Sequence, residues 1–138
     1  MSEERPGPPP AAGSSTGPRI LVLADDLIWS TRLVDGVRRQ GGTPVPLRTA
    51  PAFEVALAVA DGALVDLTAR AYDGIAMLRT ATEAGVATIA VGQHDDVDLR
   101  KAARAAGAAR VHAYRSLFEH GDRELAAWLA VLRRRQEE

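Results

Sequence analysis

Residues 20–26, ILVLADD, and 62–66, GALVD, decide how this chain folds. Each is a short apolar run that ends in aspartate: Ile20 to Ala24 runs into Asp25-Asp26, and Gly62 to Val65 runs into Asp66. Apolar runs of this length without polar alternation fit strands buried on both faces, as in a parallel sheet. In such a sheet the carboxyl ends of neighbouring strands border the crevice where ligands bind. Three carboxylates meeting there repel one another unless a cation or protons compensate. The aspartates therefore mark a candidate site.

Outward from these two runs, strand and helix patterns alternate. Trp29, Leu33 and Val37 recur at helical spacing and stop at Gly41-Gly42. Thr43 to Leu47 (TPVPL) reads as a strand whose two prolines remove donors along one side only, which predicts an edge strand. Phe53, Ala56, Leu57 and Ala60 predict a second helix, Ala63 to Leu67 the third strand, and Ile75, Leu78 and Thr82 a third helix ending near Gly85. Val86 to Val91 reads as a fourth strand. Leu99, Ala102, Ala103 and Ala106 form the stripe of a helix ending at Gly107, and Val111 to Tyr114 reads as the fifth strand. Leu125, Trp128, Leu129 and Leu132 give the last helix. Ser116 and Glu119 have capping-box spacing for a short turn before it, and Gly121-Asp122 suggests that the long helix starts afresh there.

Five strand–helix units with short connections predict an α/β fold: a doubly wound, five-stranded parallel sheet, flavodoxin-like, in the order 2-1-3-4-5. That order puts the Pro-containing strand at an edge and sets strands 1 and 3 side by side, with Asp25, Asp26 and Asp66 at the switch point.

The bulk numbers agree. The chain has 138 residues, enough for one domain, with 46% hydrophobic and 25% charged residues and a net charge of −1. That balance carries no basic footprint for nucleic acid or for a membrane surface. Cysteine is absent, which excludes disulfides, thiolate metal sites and thiol nucleophiles. No apolar stretch approaches the ~20 residues of a membrane helix, and the start lacks a signal-peptide core. The expected location is the cytoplasm of a bacterial cell. Residues 1–18 are rich in Pro, Gly and Ser and are expected to be a disordered tail, leaving 19–135 as the folded domain.

From Arg19 to Leu132 the chain resembles the receiver domains of two-component response regulators. The resemblance is carried by Asp25-Asp26 after strand 1, Asp66 at the end of strand 3, Asp73-Gly74 seven and eight residues later, and Gly107-Ala108 before strand 5. It implies Asp66 as acceptor of a phosphoryl group in a phosphorelay, and Asp25 and Asp26 with Asp66 as ligands of Mg²⁺. A carboxylate is a competent nucleophile toward activated phosphorus, and Mg²⁺ prefers oxygen ligands. The sequence departs from the family where the phosphoryl state is read out. Gly92 stands in place of the Ser or Thr after strand 4, and Tyr114, followed by Arg115, stands in place of the lysine ending strand 5. The sole lysine, Lys101, lies in helix 4, and Ala69-Arg70 replaces the usual Met-Pro. These departures describe a pseudo-receiver.

Blander readings compete at each position. Asp25 or Asp26 can cap helix 1, and Asp95 or Asp96 helix 4. His94, His112 and His120 lack metal-ligand spacing. Ser30, Thr31, Thr68 and Ser116 lack a nucleophile-elbow context, and the acidic turn after strand 1 would repel a dinucleotide. Arg133-Arg134-Arg135 reads as a solvated helix end. Tyr114, Leu117 and Phe118 read as core, with a homodimer through them as the alternative. The function expected is that of a stand-alone, non-enzymatic receiver-like module that contacts a sensor kinase or a regulated effector, with Mg²⁺ and phosphorylation at Asp66 as modulators. The competing reading is a small-molecule-binding or metal-dependent enzyme domain using the same acidic crevice.

Overall fold

The computed structural model describes residues 17–92 and 96–137, apart from the side chain of Phe118. Its strands are β1 (Arg19–Leu23), β2 (Thr43–Leu47), β3 (Gly62–Asp66), β4 (Ala87–Gly92) and β5 (Arg110–Ala113). Its helices are α1 (Leu27–Arg39), α2 (Ala50–Ala56, continued by a 3-10 turn over Leu57–Val59), α3 (Gly74–Glu83), α4 (Val97–Ala105) and α5 (Tyr114–Glu137). All strand pairs are parallel and the order is 2-1-3-4-5, as the sequence predicts.

The unbroken apolar runs have a simple cause. β3 is buried at every residue and β1 at four of five, because helices cover both faces. Side chains alternate between two cores. Ile20, Val22, Leu64, Ile89 and Val91 meet Leu33 and Val37 of α1 and Leu125, Trp128, Leu129 and Leu132 of α5. Leu21, Leu23, Ala63, Val65 and Ala90 meet Phe53 of α2, Met77, Leu78 and Ala81 of α3, and Ala103 and Ala106 after it. Gly62 lets α5 settle onto the sheet, since a Cβ there would come within 2.9 Å of Leu132 and the Trp128 ring.

β2 is the edge strand its prolines require. Thr43 N–H donates to the Pro18 carbonyl and Ala24 N–H to that of Leu47, so the residues between the prolines face β1. Gly17 and Pro18, grouped with the tail by composition, thus take part in this edge, and Pro18 is buried. Residues 1–16 lie outside the described residues. Gly107, at φ 111°, reverses the chain between α4 and β5 in a conformation other residues resist, and Thr82 would obstruct any side chain there.

Two expectations about helices need correction. Thr82 is exposed and donates its hydroxyl to the Leu78 carbonyl; the buried face of α3 is Gly74, Met77, Leu78 and Ala81. The last helix does not restart at Gly121-Asp122. It runs unbroken from Tyr114, and Glu119 pairs with Arg115 at 3.2 Å across one turn. The reason is packing. Leu117, Gly121 and Leu125 continue the inward stripe by a further two turns. Burying a leucine stabilises by about 1.5–3 kcal/mol, whereas an interior glycine costs only about 1 kcal/mol.

Candidate functional site

Asp66 ends β3, one register step beyond the Leu23–Val65 pair that joins β1 to β3. Its side chain is on the same face as Leu64, toward α1 and α5, and the residue is 1% exposed. A buried carboxylate needs donors, and Asp66 has them. Its Oδ1 accepts from Thr68 N–H at 2.9 Å, from the Thr68 hydroxyl at 2.8 Å, and from the Tyr114 phenol. The Thr68 and Tyr114 oxygens also touch, at 2.8 Å. With one proton on each hydroxyl, both are best used on the carboxylate, the stronger acceptor. The Tyr114 ring in turn stacks on Trp29 of α1, centroids 4.0 Å apart and planes inclined by 22°. The Arg32 guanidinium lies 5.4 Å from the centre of the Trp29 ring, within cation–π range.

Below this group, the Tyr72 hydroxyl lies 2.9 Å from the Leu23 carbonyl and 2.8 Å from that of Asp66, bracing the ends of β1 and β3. Burial pushes both phenols well above their ordinary pKa of 10, and the Asp66 charge adds to each shift. Asp25 contributes further at Tyr72 and Asp26 at Tyr114. The charge of Asp66 thus reaches both phenols, Tyr114 on the α1–α5 side of the sheet and Tyr72 in the core on the other side.

The other two carboxylates are committed to backbone. Asp25 Oδ2 accepts from Arg70 N–H at 2.9 Å and Ala71 N–H at 3.1 Å, and Arg48 donates to the Asp25 carbonyl at 2.9 Å. These bonds tie the β3–α3 loop to the end of β1. Asp26 caps α1 through Trp29 N–H at 3.1 Å. Asp73 and Asp96 cap α3 and α4 in the same way. Among the described residues no group of three carboxylates or imidazoles could hold a metal ion. One oxygen of each aspartate is engaged by N–H or O–H groups, Asp25 Oδ2, Asp26 Oδ1 and Asp66 Oδ1, and in this arrangement the three do not come together as a metal-holding group. Asp26→Ala should therefore cost about 0.5–2 kcal/mol in urea unfolding, as for any lost cap, with no dependence on Mg²⁺, and Asp26→Asn should recover most of it.

The remaining sequence candidates separate. Gly92 is buried at the end of β4, where a Cβ would meet Leu67 and Leu99 at an ordinary contact distance of 3.6–3.9 Å. Arg115 is 89% exposed and paired with Glu119, so it does not replace the missing lysine. Lys101 is an exposed residue of α4. Leu117 is 5% exposed within the α1–α5 core and Tyr114 is half-buried with its hydroxyl turned to Asp66; the side chain of Phe118 lies outside those described. His94 and Asp95 also lie outside the described residues. His112 is half-buried with its Nε2 unpartnered among them, and burial lowers its pKa. Sequence reasoning missed Thr68, Tyr72 and Trp29 as members of the site. A hydroxyl two residues after a strand-end aspartate is a local signal for the first; Tyr72 and Trp29 enter only through tertiary contacts.

No protein-family model and no curated protein sequence matches the chain. Solved structures do. A response regulator receiver domain protein from Clostridium thermocellum aligns over 87% of this chain and 97% of its own, with a TM-score of 0.72 at 17% identity. The receiver domain of a Pseudomonas aeruginosa sensor histidine kinase, which has magnesium in its active-site cleft, aligns over 83% and 98%, with a TM-score of 0.69 at 22% identity. A beryllofluoride-activated receiver domain aligns over 84% and 97%, at a TM-score of 0.70 and 17% identity. The architecture is therefore flavodoxin-like and doubly wound. Within that class it is the receiver-domain fold.

Proposed function

We propose that this chain is a signalling module of receiver type that acts by contacting another protein, and that it does so without a phosphoryl group or Mg²⁺. What carries the reading is the occupant of the crevice. The position matching the family's acceptor is an aspartate, as a signalling ancestry implies, yet its carboxylate is taken by Tyr114 and Thr68. Asp25 and Asp26, the matching metal ligands, are bonded to main-chain N–H groups. A site rebuilt in this way serves as a rigid element of a binding surface rather than as a reaction centre. The competing reading, a small-molecule or metal-dependent enzyme site in the same crevice, is disfavoured because Asp66 is buried and hydrogen-bonded within the protein and Asp25 and Asp26 are bonded to main-chain N–H groups. A groove of about 360 Å³ beside Trp128 and Val131 lies at the opposite end of the sheet, among the first residues of β4 and β5. No helix among the described residues is long and apolar enough to cross a membrane.

The test is cross-linking of the tagged chain in its own cells. A discrete protein partner should be captured, and its yield should withstand chelation of divalent ions. Absence of any protein partner, together with a thermal shift on adding a metabolite, would transfer the assignment to the small-molecule reading.

A further inference from the structure

We infer that Tyr114 is a built-in occupant of the acceptor pocket: its phenol closes Asp66 to phosphoryl donors and pins the amino end of α5 to the sheet. This rests on the receiver-type reading above and concerns the regulation of that same site. Three observations carry it. The first is access. A carboxylate that attacks phosphorus must present an oxygen in line with the departing group. Asp66 is 1% exposed and its Oδ1 is taken by three donors, so little of the carboxylate is open to an incoming phosphorus.

The second is the seat of the ring. Tyr114 stacks on Trp29 at 4.0 Å, and Trp29 belongs to the first turn of α1, whose cap is Asp26. Removing the phenol from Asp66 therefore also breaks an aromatic contact between α1 and α5. The third is linkage. β5 ends at Ala113 and α5 begins at Tyr114, with no loop between them to absorb movement. A displaced Tyr114 must shift the first turn of α5, which holds Leu117 in the core. The residue that occupies the pocket is thus also the first residue of the helix.

The experiment uses the full chain. Incubated with Mg²⁺ and acetyl phosphate, the protein should gain no phosphoryl mass, and beryllofluoride should leave the indole N–H signal of Trp29 in place. Tyr114→Phe keeps the ring and removes only the hydroxyl, so the protein should stay folded. Amide exchange over residues 115–117 should then accelerate about ten- to a hundredfold, the opening expected when one charge-assisted hydrogen bond is lost. Tyr114→Ala should add a displaced Trp29 indole signal. Phosphoryl mass on the unmodified chain, abolished by Asp66→Asn, would overturn the inference and the phosphoryl-free part of the reading above, while leaving its receiver-type, partner-binding part standing. Unchanged exchange in Tyr114→Phe would also overturn it. Failure of the signalling reading would show instead as the absence of a protein partner, an outcome these measurements do not touch.

Discussion

Tyr114→Phe and Asp66→Asn are expected to destabilise the protein singly and to be strongly coupled when combined. The Tyr114 hydroxyl donates to a buried, charged acceptor, and hydrogen bonds of that kind contribute about 1.5–3 kcal/mol. Tyr114→Phe should therefore lower the unfolding free energy by that amount at an unchanged urea m-value. Asp66→Asn keeps an acceptor oxygen but loses the charge that strengthens all three of its bonds, and places an NH₂ group among donors. It should cost a similar amount. In the double variant the second change should cost much less than it does alone, with a coupling energy of about 1–3 kcal/mol. The opposite result is equally well defined. Were the aspartates an uncompensated acidic cluster, neutralising Asp66 would relieve repulsion, raise stability and show no coupling to Tyr114. The sign of the Asp66→Asn effect thus separates a satisfied carboxylate from the remains of an ion site.

Why that sign could not be read from the chain alone is itself physical. The strand order, the edge position of β2 and the placing of Asp66 at a strand end all follow from local pattern: apolar runs, two prolines, an aspartate after four apolar residues. Such features lie within a few residues of their causes. The partners of the carboxylates do not. Asp25 meets main-chain N–H groups 45 and 46 residues away, and Tyr114 meets a carboxylate 48 residues away. An acidic pair at the end of β1 looks the same in sequence whether it binds a cation or a loop. Local signals can also mislead where burial overrides them. Ser116, Glu119, Gly121 and Asp122 carry the marks of a helix boundary, yet the stripe through Leu117 and Leu125 draws the whole segment into one helix. The same override makes Tyr114, the first residue of α5, legible only as the absence of a lysine. That its hydroxyl meets Asp66 follows only from contacts made in the fold, with Trp29 stacked on the ring.

The chain holds two tyrosines, Tyr114 bonded to the Asp66 carboxylate and Tyr72 to the main-chain carbonyls of Leu23 and Asp66, so the ultraviolet phenolate signal reports on the ends of β1 and β3. In the native protein neither phenol should ionise near its ordinary value of 10, because burial disfavours both phenolates and the Asp66 charge opposes them further. In denaturant both should titrate near 10. The sign of the linkage follows. A group whose pKa is raised on folding contributes stability that is fully present below the unfolded value and is lost as pH climbs above it, since the unfolded chain then binds fewer protons. Stability should therefore fall steeply above about pH 10, with both phenolates appearing together as the protein unfolds. Asp66→Asn should act unequally on the pair. Burial is the largest cause for Tyr114 too, but there the carboxylate adds both the hydrogen bond that holds its proton and its charge, so its titration should move part of the way back toward 10. Tyr72 is raised first by burial and bonds to carbonyls that the substitution leaves in place, so it should stay high. A native protein with one phenol titrating normally would mean that Tyr114 stands in water rather than on Asp66, and the closed crevice would be lost with it.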